Sequence, residues 1–263
     1  LFIYTFDMGI RGAAIATILS QTVALVWQIR LFSDKGELLH LKRGIYRLDN
    51  IIVKNILGIG ISPFAMNATA CLVAIFVNQR LLEYGGDLAV GAFGIANRVA
   101  FIFIMINFGV NQGMQPIAGY NYGAQNYDRL MRVLKLAMIA GTCVTTSGFI
   151  VAEFMPHLCV RLFTNDKVLT DLAVNGIRIM MAAMPIVGYQ MIVTNFFQSI
   201  GKAKISIFLS LSRQLLFLVP LIGVMPLFFG VNGVWVAMPI SDSFSAIFAL
   251  VMMVRYMRVF KKR

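Results

Sequence analysis

The sequence has few of the residues from which disulfide frameworks, metal sites and catalytic centres are built. It contains 3 Cys and 2 His among 263 residues. Cys71, Cys143 and Cys159 are scattered without CxxC spacing, and His40 and His157 do not lie at ligand spacing from each other. No GxSxG, HExxH or GxxxxGK[ST] motif occurs, which argues against a hydrolase or an ATP-driven pump. We therefore expect no enzyme activity, no metal site and no cofactor.

Charged residues are also scarce, at 13% of the chain, whereas hydrophobic residues make up 59%. Soluble domains average roughly 45–50% apolar and about 25% charged residues. A membrane-spanning helix needs about 20 mostly apolar residues, because hydrocarbon cannot hydrogen-bond an open backbone. The apolar runs predict an all-α polytopic membrane protein with seven spans, at residues 12–32, 52–79, 88–114, 132–155, 171–198, 203–229 and 232–256.

The net charge of +12 reflects basic residues that lie between the apolar runs. They do not form a groove or an amphipathic face, so a nucleic-acid partner is not expected. Most of them fall in residues 30–54, 129–135, 202–204 and 255–263, which alternate spans place on one side of the membrane. Because cytoplasmic loops carry the excess of Lys and Arg, we expect a plasma (inner) membrane protein with a cytoplasmic C-terminus.

An internal repeat predicts how the spans are grouped. Residues 9–21 align without gaps on residues 230–242, and both copies read Gly-x-x-Gly-x-x-x-Ala-x-x-x-Ser. A chance match among helix starts rich in small residues is the alternative. A real repeat would separate equivalent helices by six spans, so that two six-helix lobes are parallel repeats. The predicted domains are then the last helix of an N-lobe (1–32), a cytoplasmic linker (33–54) and a six-helix C-lobe (55–263), and the chain is expected to be a fragment.

Three spans carry polar residues at helical spacing. Residues three or four apart lie on one helix face, and polar side chains are costly in hydrocarbon. Such side chains either bond neighbouring helices to one another or line an aqueous cleft. Their presence on three helices favours a cavity, which would be lined by Asn67, Asn78, Asn107, Asn111, Gln115, Gln190, Thr194 and Gln198.

A few charged residues also fall within spans. Asp242 follows Pro239 by three residues, where a broken helix would free carbonyl groups. It is therefore either a cation or substrate ligand of the cavity or one half of a buried pair with an arginine. Arg98 is expected to be a structural partner, and Arg213 lies beside Gln214 in the sixth span.

Several strings resemble motifs of MATE (multidrug and toxic compound extrusion) transporters. The most specific is residues 112–124, followed by Arg129; residues 212–214 ahead of Pro220, and residues 233–242, support it. The resemblance implies a twelve-helix transporter of two lobes that exchanges organic cations or other amphiphilic drugs for Na⁺ or H⁺. It also implies a motif that holds the inner gate, with a tight reversal between Gly119 and Gly123. The motif and gate residues are Arg98, Gln115, Pro116, Gly119, Tyr120, Asn121, Tyr122, Gly123, Arg213 and Gln214.

One departure from the family pattern points to a branch. The NorM-like branch carries acidic coupling residues in two C-lobe helices, but no acid occurs near Ala70 and Cys71 or within residues 176–199. This resembles the DinF/MepA-like branch, whose coupling Asp is expected in the N-lobe. The expected partners are the lipid bilayer, small-molecule drugs and the N-lobe of the same protein. The alternatives are a lipid-linked oligosaccharide flippase of the same superfamily and a membrane scaffold that does not transport.

Overall fold

The computed structural model describes residues 8–34, 36, 40 and 48–260, and within these ranges the chain is helical and contains no strand. The predicted all-α class is confirmed. The chain divides into two compact units, Leu1–Gly58 and Ile59–Arg263. The helices are α1 (Gly9–Ser33), α2 (Asn50–Gly123), α3 (Tyr127–Phe154), α4 (Pro156–Arg161), α5 (Lys167–Met181), α6 (Met184–Ser199), α7 (Ala203–Leu211), α8 (Val219–Phe229) and α9 (Val231–Phe260), with a π-helical segment, Ser212–Leu218, between α7 and α8.

Helix α1 belongs to the first unit and matches the first predicted span. Its Thr17 and Thr22 hydroxyls donate to the carbonyls of Ala13 and Ile18 at 2.9 and 2.8 Å, so these polar groups are satisfied within the helix. Large apolar side chains such as Trp27 are exposed on this helix. The predicted linker lies largely outside the described residues. Its last part differs from the prediction, because α2 already begins at Asn50.

Helix α2 is a hairpin with two arms, residues 50–85 and 87–123. The break is at Gly86, whose φ of 67° and ψ of −168° lie outside the helical region and in a range that only glycine adopts without strain. Residues 70–77 of the first arm share one cavity with residues 93–104 of the second, and residues 66–70 share another with residues 104–115, so the arms run antiparallel. Each arm is long enough to cross a bilayer, and together they account for the second and third predicted spans.

The fifth predicted span is not one straight helix. It consists of α5 and α6, which are bent by 50° at the residues between Met181 and Met184. Pro185 occupies the first turn of α6, where a proline costs no hydrogen bond but prevents the preceding helix from continuing. The bend changes the direction in which α6 presents its polar side chains.

The sixth span contains the π-helical segment between α7 and α8. Pro220 follows it directly in the first turn of α8. Proline donates no backbone hydrogen bond, and its ring clashes with the carbonyl four residues earlier. The helix therefore takes the wider, π-helical hydrogen-bond pattern in the residues before it. Segments of this kind free carbonyl groups, and the Arg213 carbonyl accepts a hydrogen bond from Ser241 Oγ of α9 at 2.7 Å.

The second unit contains two apolar clusters separated by a layer of buried polar residues. One cluster includes Leu81, Ile177 and Trp235, and the other includes Leu134 and Phe197. Along the second arm of α2, α3, α6 and α9, the intervals between the two clusters contain buried polar residues: Asn107, Asn111, Thr145, Gln190, Ser241 and Ser245. The apolar clusters therefore hold a polar layer in the interior of the bundle.

Helices α3 and α6 approach each other closely within this layer. A Cβ atom added at Gly188 would overlap Thr145 Oγ1 and the Gly141 carbonyl group. Small residues allow membrane helices to pack this closely, since the attraction between them depends on close contact.

We predict that Gly188→Ala lowers the melting temperature of the purified protein, because the methyl group meets backbone atoms that cannot move aside. The expected loss is about 1–3 kcal/mol of unfolding free energy. Gly113→Ala is the matched control, since nothing lies within 4 Å of the added atom there. Equal melting temperatures for the two variants would contradict this packing.

The orientation predicted from basic residues is testable with reporter fusions. Alkaline phosphatase, which is active only outside the cytoplasm, should be active when fused after Phe163, between α4 and α5. It should be inactive after Gln125, between α2 and α3, and a fluorescent protein after Arg263 should be bright. The opposite pattern of reporter activity would show that the orientation is the reverse of the predicted one.

Candidate functional site

A polar cavity of about 460 Å³ lies in the second unit, within the size range of ligand sites. The first and second arms of α2, helices α6 and α7, and the π-helical segment contribute to its wall. Its polar lining consists of seven side-chain amides, two hydroxyls and one guanidinium: Asn67, Gln112, Gln115, Gln190, Asn195, Gln198, Gln214, Thr194, Ser210 and Arg213. Amides both donate and accept hydrogen bonds, so this wall can bind ligands of varied polarity.

A smaller cavity of about 250 Å³ adjoins the first and is mainly apolar. Its wall includes Phe93 and three methionines, Met180, Met184 and Met238. The flexible thioethers of the methionines adapt to ligands of different shape. Its polar lining residues are Asn97, Arg213, Gln214 and Asp242. Ala70, Ile104, Arg213 and Gln214 line both cavities, so the two spaces meet at the π-helical segment.

Arg213 is held by α9 through both its side chain and its backbone. Its Nε lies 3.4 Å from Asp242 Oδ1, and its carbonyl accepts the hydrogen bond from Ser241. Of the two possibilities for Asp242, the structure shows the ion pair with an arginine. Because both partners line the apolar cavity, the pair is also accessible to a ligand there.

Several buried amide oxygens near the cavities have no hydrogen-bond donor among the described residues. Gln190 donates through Nε2 to Ser245 Oγ, but its Oε1 accepts nothing. Gln214 Oε1 is likewise without a donor. A buried unsatisfied acceptor costs roughly 1–3 kcal/mol, so these oxygens favour the arrival of a donor group.

A family model described as MatE matches residues 59–222, more than half of the chain. The chain belongs to the MatE family. It is 24% identical over 250 residues to the multidrug export protein MepA of Staphylococcus aureus (strain N315). The alignment covers 95% of this chain and 55% of MepA. The MatE chain therefore spans a little over half of the length of the curated relatives it matches.

Solved structures agree with this assignment. The MATE multidrug transporter DinF-BH is 35% identical with a TM-score of 0.84, and the match covers 98% of this chain and 58% of that one. A MATE structure in complex with MaL6 is 22% identical with a TM-score of 0.88. The match covers 100% of this chain and 60% of that one, and it shows the shared fold. The predicted membership of the DinF/MepA-like branch, as a C-terminal part, is confirmed.

The polar residues predicted on the MatE chain are divided among three environments. Asn67, Gln115, Gln190, Thr194 and Gln198 line the polar cavity. The other three do not.

Asn107 and Asn111 are buried among helices instead of lining this cavity. Asn107 Nδ2 lies 3.5 Å from Met191 Sδ, and Asn111 Nδ2 donates to the Asn107 carbonyl at 3.2 Å. Asn78 is exposed on the first arm of α2, about three helical turns beyond Asn67. Helical spacing placed Asn107, Asn111 and Gln115 on one stripe, but the close packing of α3 and α6 covers only part of it.

The family motif differs in shape from the prediction. The chain stays helical through Gly123 and reverses after it, where Gln125 has a φ of 56°. Gly119 serves a different purpose from a turn, because a Cβ there would lie 3.2 Å from the Ser199 carbonyl oxygen, at the end of α6. The motif therefore packs α2 against α6.

The other motif residues have distinct surroundings. Asn121 is buried and donates to the Ile117 carbonyl at 2.8 Å, whereas Tyr120 is exposed. Tyr122 contacts Tyr127 edge to face, with ring centroids 6.4 Å apart. Pro116 is exposed within the helix, and Arg98 is exposed and is not among the lining residues of either cavity.

Sequence reasoning missed four polar cavity residues: Gln112, Asn195, Ser210 and Asn97. Asn195 and Gln112 each neighbour a predicted stripe, so a wider stripe would have included them. Asn97 directly precedes Arg98, and Ser210 lies four residues from both Ser206 and Gln214, so helical spacing also offered a signal for these two.

We predict that cysteine accessibility separates the cavity residues from the buried ones. In a variant without the exposed Cys71 and Cys143, a water-soluble maleimide should label Gln198→Cys and leave Asn107→Cys unlabelled. The native Cys159 is buried and should not react. Labelling yields are measured on intact membranes, with denatured protein as the full-labelling reference. Labelling of Asn107→Cys as fast as Gln198→Cys would contradict the packing described here.

Proposed function

We propose that the complete protein is a cation-coupled multidrug efflux antiporter of the plasma membrane. It would export organic cations or amphiphilic compounds in exchange for Na⁺ or H⁺ by alternating access between its two lobes. The observation that carries the proposal is an amide-lined cavity joined to a methionine-lined one in a MatE chain. Such a wall binds varied amphiphiles, because its apolar part takes up their hydrocarbon and its amides adapt to different polar groups.

The names of the relatives support this proposal. MepA is described as a multidrug export protein, and DinF-BH as a multidrug transporter. Coupling through a carboxylate of the N-lobe is consistent with the described lining residues of the larger cavity, which include no Asp or Glu. The excess of basic residues in the connections on one side supports a cytoplasmic C-terminus.

The flippase alternative has less support. An anionic headgroup requires several cationic side chains, but among the described lining residues of the two cavities Arg213 is the single cation. A scaffold is also disfavoured, since a scaffold has no use for unsatisfied amides beside an open cavity.

Efflux of ethidium from cells lacking their own drug pumps tests the proposal. Cells expressing the complete reading frame should lose preloaded ethidium faster than empty cells. Gln190→Ala should slow efflux by about fivefold, because the wall loses an amide worth roughly one hydrogen bond. Gln79→Ala, which removes an exposed amide that is not among the lining residues, is the matched control and should export normally.

Two outcomes would contradict the proposal. One is no efflux by the complete protein at normal expression in the membrane. The other is efflux by residues 1–263 alone, since this chain matches only 55% of the length of MepA and would lack half of the central cleft.

A further inference from the structure

The two cavities offer different charges to a ligand. Among its described lining residues, the polar cavity has Arg213 as its one charged group. A cation there meets neutral amides and a guanidinium, which repels it. The apolar cavity adds a carboxylate, Asp242, which is paired with Arg213 at 3.4 Å. A cation that binds this lobe through a carboxylate must therefore compete with Arg213.

The surroundings of Asp242 suit the charged group of a lipophilic cation. Its side chain is 16% exposed, so the carboxylate needs a positive partner in an environment of low polarity. Met180, Met184 and Phe93 line the same space, and thioethers and aromatic faces attract quaternary ammonium groups. A hydrated Na⁺ makes few favourable contacts with such a wall, whereas a tetraalkylammonium or arylammonium ion contacts it over its whole apolar surface.

The structure also provides a place for the displaced guanidinium. Arg213 lines both cavities, and its side chain is 32% exposed, so it is not sealed in position. Gln190 and Gln214 line the polar cavity, and each has an amide oxygen without a donor. Both oxygens are buried, so a guanidinium that leaves Asp242 can donate to them once the amide side chains rotate toward the cavity. The backbone of Arg213 stays anchored through Ser241, so the rearrangement involves side chains alone.

We infer that Asp242 binds the charged group of lipophilic organic cations, and that the cation takes the place of Arg213, whose guanidinium turns toward the unsatisfied amide oxygens of the polar cavity. The inference rests on the proposed function, since the ligand is a drug-like cation. It adds a residue-level site in this lobe. Arg213 then acts as a built-in competitor, so a cation binds only when its apolar part adds enough contact to displace the guanidinium.

Binding of phenyltrimethylammonium to the complete protein in nanodiscs tests this inference. This cation is small enough for the apolar cavity, and tert-butylbenzene is its neutral analogue of the same shape. Wild type should prefer the cation. Asp242→Asn should weaken cation binding by about tenfold or more and abolish the preference, because the carboxylate is lost. Arg213→Gln should tighten cation binding severalfold, because the competitor is gone.

Two further variants distinguish displacement from a structural effect of the pair. In Arg213→Gln combined with Asp242→Asn the tightening should disappear, since it acts through the carboxylate. Glu153→Gln breaks the Glu153–Arg178 ion pair, 3.8 Å long, whose residues do not line either cavity, and should leave binding unchanged. Weaker binding in Arg213→Gln, or an unchanged preference in Asp242→Asn, would overturn the inference.

A structure of the wild-type complex tests the inference without substitutions that affect folding. Anomalous scattering from 4-iodophenyltrimethylammonium should place the ligand in the apolar cavity, with Arg213 turned away from Asp242. Iodine elsewhere, or an intact ion pair beside the ligand, would overturn the inference but leave the proposed function standing. Failure of the wild type to bind any organic cation, together with no ethidium efflux, would overturn both.

Discussion

The structure depends on keeping polar side chains buried inside an apolar helix bundle. Hydrocarbon cannot satisfy such groups, so each must be packed against a neighbouring helix or lie beside water. Here two apolar clusters enclose a layer that contains Asn107, Thr145, Gln190 and Ser245. Gly188 allows α3 and α6 to approach closely enough to seal one side of this layer. The other side opens onto the amide-lined cavity, and the function we propose requires this asymmetry.

Prolines and the π-helical segment give the cavity its shape. The 50° bend between α5 and α6 turns Gln190 toward α9, where it bonds Ser245. The widened helix ahead of Pro220 leaves the Arg213 carbonyl free for Ser241 and places Arg213 and Gln214 where the two cavities meet. Local backbone irregularity therefore creates the point at which a charged pair, an unsatisfied amide and an apolar wall come together.

A multidrug site must bind many ligands without binding each of them tightly. Amide groups and methionines provide tolerance, because both adapt to different ligand shapes and polarities. A carboxylate exposed in the same cavity would bind every small cation. Under the inference drawn here, the pairing of Asp242 with Arg213 would restrict binding to cations with a large apolar part.

The sequence by itself determined the class, the membership of the DinF/MepA-like branch and most of the spans, since apolar runs of bilayer length and motifs such as residues 112–124 are local properties. It also identified Gln190, Thr194 and Gln198 as one helix face, because helical spacing is local too. Only the tertiary structure decided that Asn107 and Asn111 are sealed between helices, that Gly119 lies against α6 and that Asp242 pairs with Arg213. Those outcomes depend on which neighbour covers a given face, and periodicity within one helix carries no information about its neighbours.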